Sequence, residues 1–128
     1  MPVITFATLA DDPLGTASTF AAGINGLGQI VGNYQITVNG VSHGFLYNPY
    51  SSTPYTTLDD PLGTQGTFAN GINGAGQIVG SYTDASGNTH GFLYNPNSST
   101  PFTTIDDPLG NNFTVAQGIN ASGILHGR

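Results

Sequence analysis

The sequence predicts an all-β protein built as a β-propeller from four-stranded blades of about 47 residues. Three observations point there. Gly (19) and Pro (8) punctuate a chain of 128 residues that contains no Glu and no Lys, which removes most helix formers. Between the glycines stand short runs rich in Thr, Tyr, Phe, Ile and Val, the residues that fit a pleated, half-buried surface. The chain also repeats: "DDPLG" begins at Asp11, Asp59 and Asp106, spacings of 48 and 47 residues.

That period divides the chain into a last-type strand of a preceding unit (1–10), repeat 1 (11–58), repeat 2 (59–105) and a shortened repeat 3 (106–128). Within repeat 1 the first strand is "TFAAGI", Thr19–Ile24, closed by the turn Asn25-Gly26-Leu27-Gly28. In that turn Asn25, like Asn73 and Asn120 later, is expected to take left-handed geometry. The second strand, "QIVGNYQI", alternates with Ile30, Gly32, Tyr34 and Ile36 on one face. Asn39-Gly40 marks a tight hairpin that needs positive φ. "SHGFLYN" follows with His43, Phe45 and Tyr47 on one side, and after the Pro-bracketed loop "NPYSSTP" comes the fourth strand, "YTTL". Repeat 1 is one residue longer than repeat 2, in "VNGVS" against "SGNT", and an insertion of that kind belongs at a loop tip.

Fewer than three blades cannot close a usual ring, so the expected architecture is a propeller completed by oligomerisation, a homodimer first and a trimer second. Strands from both ends of the chain would then complete one another's blades. A β-trefoil or β-prism with threefold pseudosymmetry is the alternative, and the shortened third unit argues against it.

The run "GINGLGQIVGNY…SHGFLYN…PYTTLDDPLG" resembles the bacterial extracellular repeats of the HAF family. Their pattern pairs G-I-N-x-x-G-x-I-V-G with H-G-F-L-Y and a closing T-x-L-D-x-P-G. Both complete units carry all three blocks, the closing one as T-T-L-D-D-P-L-G and T-T-I-D-D-P-L-G, and the third matches only G-I-N-x-x-G. The resemblance implies propeller-like blades and an extracellular or cell-surface location, and it carries no defined activity. This chain departs from larger members in having under three repeats. Its first residues, "MPVITFATLADDP", lack the basic and long apolar segments of a signal peptide.

Composition narrows the function. Seven Asp against the lone Arg128 give a net charge of −6, leaving nothing to neutralise phosphates, so a nucleic-acid partner is excluded. An anionic membrane surface is disfavoured for the same reason, and no apolar run nears the roughly 18 residues of a spanning helix. The absence of cysteine removes disulfides and thiolate metal sites.

Six of the seven acids sit in the DDPLG doublets. The expected role is turn chemistry, with the first Asp capping the turn that Pro-Leu-Gly completes. Were the doublets to converge at one mouth, Asp11, Asp59 and Asp106 would be candidate ligands for Ca²⁺. His43 and His90 occupy the same place in "HGFLYN". With Tyr47, Asn48, Tyr94 and Asn95 they are candidates for binding a neutral polar ligand such as a glycan. His126 aligns with Val79 and is not equivalent.

No nucleophile elbow, Cys nucleophile or phosphate loop appears, so no enzyme is expected. The sequence therefore predicts a non-enzymatic repeat scaffold that self-assembles and needs no cofactor. The alternative is a multivalent, lectin-like glycan-binding propeller.

Overall fold

A computed structural model describes residues 17–106, 114–120 and 123, and the backbone of 125–127. The described residues form strands and turns and no helix, so none contributes a helix long and apolar enough to cross a membrane. Strands β1 (Ser18–Ile24), β2 (Ile30–Gln35), β3 (Ser42–Tyr47) and β4 (Tyr55–Leu58) make one antiparallel meander in the order β1-β2-β3-β4. Strands β5 (Gly66–Ile72), β6 (Ile78–Thr83), β7 (Thr89–Tyr94) and β8 (Phe102–Ile105) make a second in the same order. β9 (Ala116–Ile119) and β10 (Leu125–Gly127) begin a third. The preceding strand expected over 1–10 lies outside the described residues.

Register follows the sequence repeat. Cross-strand rows Thr19–Tyr34–His43, Ala21–Gly32–Phe45 and Ile24–Ile30–Tyr47 recur as Thr67–Tyr82–His90, Ala69–Gly80–Phe92 and Ile72–Ile78–Tyr94. His126 pairs with Gly118 as Val79 pairs with Gly71, which agrees with the gapless alignment of the third unit. The first strands are interrupted by a β-bulge at Ala22, and again at Asn70, where one strand carries an extra residue.

Two turns differ from expectation. Positive φ falls on Gly28, Gly76 and Gly123, while the asparagines of G-I-N keep ordinary backbone geometry and act through their side chains. Asn25 Oδ1 accepts the N–H groups of Leu27 and Gln29, both at 3.0 Å, an Asx-turn arrangement. The hairpin after β2 has one left-handed residue, Asn39 (φ 61°), with the Gly40 N–H donating to the Thr37 carbonyl. That is the signature of a type II turn rather than of a primed hairpin turn.

The core lies between the sheets. From sheet 1, Val31 and Leu58 project on the face opposite Phe45. They meet Ala69, Ile72, Ile78, Tyr82 and Phe92, all on one face of sheet 2. Strand β5 packs across β1, β2 and β3, and β9 packs across β5, β6 and β7. Successive sheets therefore stack front to back, with the first strand of each leaning on the sheet before it.

Glycine makes the layers thin enough. A Cβ at Gly80 would overlap the Phe68 carbonyl oxygen and reach 2.9 Å from the Phe92 ring, whereas Gly74 has open space around it. Gly80→Ala is expected to cost about 3 kcal/mol or more, because backbone as well as ring must shift. Gly74→Ala should stay within about 0.5 kcal/mol. Urea unfolding of the two variants measures both, and equal costs would show that the close approach at Gly80 does not limit the fold.

Candidate functional site

Each complete repeat places the same group of side chains at the end of its sheet where β2 and β3 meet. Tyr34 stacks on His43 with ring centroids 5.1 Å apart, and Tyr82 stacks on His90 at 5.0 Å. Both follow from the register, since Tyr and His are direct cross-strand partners. The phenolic oxygens sit 2.8 Å from Thr57 Oγ1 and Thr104 Oγ1. His43 Nδ1 lies 2.8 Å from Asp59 Oδ2, and His90 Nδ1 lies 2.8 Å from Asp106 Oδ2.

The two acids of the doublet thus divide the work differently from expectation. The first, Asp59 or Asp106, reaches back to the histidine of its own sheet. In the doublet after sheet 1, the second caps the turn. Asp60 Oδ1 accepts the Leu62 N–H at 2.9 Å, and the Gly63 N–H donates to the Asp60 carbonyl at 2.8 Å. The Asp60 N–H in turn donates to Thr67 Oγ1. Asp60 is only 5% exposed, and its Oδ2 has no hydrogen-bond partner. Burial pushes its carboxyl above the ordinary value, opposed by the Leu62 N–H and the nearby His90.

The seventh acid, Asp84, completes the second group. It opens the hairpin turn after β6, where its Oδ1 accepts the Ser86 and Asn88 N–H groups. Its Oδ2 lies 2.8 Å from His90 Nε2. His90 is therefore held between two carboxylates on opposite ring nitrogens, and both contacts are hydrogen bonds only when both nitrogens carry protons. The Asp84 contact, then Asp106, raises the His90 pKa above the ordinary imidazole value, while His90 holds Asp84 below the usual carboxylate range. Tyr82 is pushed up, chiefly by burial. Repeat 1 has Ile36 where repeat 2 has Asp84, so His43 has no matching second carboxylate. The sequence reading passed over Asp84; its signal was its place outside the doublets, six residues before His90.

An open cleft of about 490 Å³ adjoins His90, lined by Pro61, Leu62 and Thr64 of the connector and by Tyr82 and Asp84. The other expected ligand residues lie elsewhere. Asn48 and Asn95 stand past the far end of β3 and β7, about 16 Å along the strand from the histidines. Their side chains accept the N–H groups of Tyr50 and Asn97 within their own loops. Tyr47 packs on Tyr55 and Tyr94 on Phe102, each at 4.9 Å. Of the candidate metal ligands, Asp11 lies outside the described residues, and Asp59 and Asp106 face separate histidines. Among the described residues no group of three or more His and Asp side chains is placed to hold a metal ion. Comparison of the chain with protein-family models, with curated proteins and with solved structures gives no match.

The sign of the pH dependence follows from the two shifts. His90, raised in the folded state, contributes stability that is fully present below its unfolded value of about 6.5 and lost as pH rises through the folded value. Asp84, depressed in the folded state, contributes stability present above about 3.9 and lost as pH falls through its folded value. The stability gap between wild type and His90→Gln should accordingly be widest near pH 5.5 and narrow at pH 9. Urea melts at the two pH values measure it, and a gap that does not change with pH would show that His90 acts only by packing. Chelation is a second test. With Asp59 and Asp106 on histidines and Asp60 in its turn, EDTA should leave the melting temperature unchanged, and a drop of several degrees would indicate a structural cation.

Proposed function

We propose that the chain is a non-enzymatic repeat scaffold that self-assembles through the exposed apolar side chains of strand β1 in its first sheet, forming a symmetric propeller-like ring. The observation that carries this reading is a contrast between two strands of nearly the same sequence. In β5, Ala69 is fully buried and Ile72 is 8% exposed, because sheet 1 covers them. In β1, the equivalent Ile24 is 66% exposed and Ala21 also faces solvent. Leu27 (58%), in the turn that follows, is exposed as well. A side chain that the repeat buries wherever a sheet stands in front of it calls for the same cover here, and a second copy supplies sheets of the matching kind. The resemblance to extracellular propeller-like repeats is in keeping with this assignment. A homodimer is the first expectation and a trimer the second.

The cleft beside His90 favours one further reading, a lectin-like module that binds neutral glycans repeatedly around the ring. Binding to a glycan array would move that reading ahead of the bare scaffold.

Light scattering behind a sizing column tests the proposal. Wild type should show two or three times the 13.1 kDa chain mass, and Ile24→Asp should return it to a folded monomer. A wild-type monomer at tens of micromolar would overturn it.

A further inference from the structure

Inside the chain, the first strands of successive repeats touch backbone to backbone. A Cβ at Gly23 would lie 3.1 Å from the Asn70 carbonyl oxygen and 3.2 Å from Gly71 Cα. One repeat on, a Cβ at Gly71 would lie 3.2 Å from the Gln117 carbonyl oxygen and 3.3 Å from Gly118 Cα. Side chains cross the same seam in one direction only. Asn25 Nδ2 donates to the Asn73 carbonyl and Asn73 Nδ2 to the Asn120 carbonyl, both at 3.0 Å. At the bulge, Asn70 Nδ2 donates to the Ala116 carbonyl, also at 3.0 Å. Every repeat thus presents a donor-bearing back with a bare glycine, and a front made of carbonyls and small apolar side chains.

The described residues leave one front and one such back outside these seams. The front is β1, with Ala21 and Ile24 in the places of Ala69 and Ile72. The back is β9, where Gln117, exposed, takes the bulge place of Asn70, and Gly118 takes the place of Gly71. We infer that a second copy docks head to tail, the β9 back of one copy receiving the β1 front of the next. Gly118 then lies against the Ala22–Gly23 backbone, and the Gln117 amide donates to the Ala21 carbonyl. The contact is heterologous. A symmetric front-to-front pairing would set two carbonyl-bearing fronts against each other with no donor between them.

The inference rests on the self-assembly proposed above, and the two fail separately. Wild-type mass reports on assembly alone. Direction is read from variants at the tail: Gly118→Val, which fills the seam, and Gln117→Glu, an exposed change that replaces the donor by a carboxylate without touching a packed position. Circular dichroism confirms that each folds. Head-to-tail docking predicts that Gly118→Val is monomeric, that Gln117→Glu shifts toward monomer, and that Ile24→Asp is monomeric. Mixing Gly118→Val with Ile24→Asp should then restore a complex of two chains through the one intact seam. If wild type assembles while both tail variants keep its mass, docking is not head to tail and the inference is overturned. If Gly118→Val does not fold, Gln117→Glu alone decides, because unchanged mass in that variant contradicts the amide contact.

Discussion

The fold depends on how closely the first strands of neighbouring repeats approach. At Gly23 and Gly71 each strand comes within van der Waals reach of the next strand's backbone, a distance at which no side chain fits between them. Bringing backbone to backbone would strand polar groups, since one strand's carbonyls face the other without a ladder of their own. The asparagine amides at 25, 70 and 73 resolve this by donating across the seam. The remaining parts follow from that spacing. Val31 and Leu58 can reach Ile72, Ile78 and Phe92 only because the strands beside them sit so close, and the sheets behind them must be thinned by glycines at 32 and 80.

The second organising group, Tyr–His–Asp–Thr, ties the outer part of each sheet to the connector leading onward. Asp59 follows β4 directly, so its contact with His43 on β3 fixes where the chain leaves sheet 1. Asp60 then turns the chain, and its backbone N–H on Thr67 brings the connector onto β5. One doublet therefore joins two sheets, with one residue facing back and the next facing forward, as adjacent residues of an extended segment must. The following Pro61 keeps Asp60 extended. Repetition of the doublet follows from repetition of the joint.

This division also explains what could be read from the sequence. Strand positions were legible because Gly, Asn and Pro mark every turn, and because alternation over Ile30–Tyr34 and His43–Tyr47 fixes which side chains share a face. The exchange of roles within the doublet was not legible. Either Asp can cap the following turn by local rules, and only the cross-strand position of His43 beside Asp59 selects between them. The bulge at Asn70 was hidden for a related reason: nothing in "TFANGI" marks an extra residue, which appears only when the strand is paired against β6. The asparagines of G-I-N were read as backbone formers because a turn beginning Asn-Gly suggests it. The positive φ falls on the second glycine, which frees the asparagine side chain to reach the next repeat.

Charge economy is the last consequence. A chain with no Lys and one Arg has few cations to set against seven carboxylates, and the described residues use histidine for that purpose. An Asp–Lys pair keeps both charges across the physiological range, whereas an Asp–His pair is an ion pair only while the imidazole is protonated. The joint after sheet 2 is therefore tied more firmly in mild acid than in base, and Asp84 strengthens it there by holding the proton from the other side. Repeat 1, with Ile36 in that place, makes its joint through Asp59 alone. Two joints of one design thus differ in how their histidine is held because of a single side chain in a hairpin turn, at the part of the repeat where the two units differ in length.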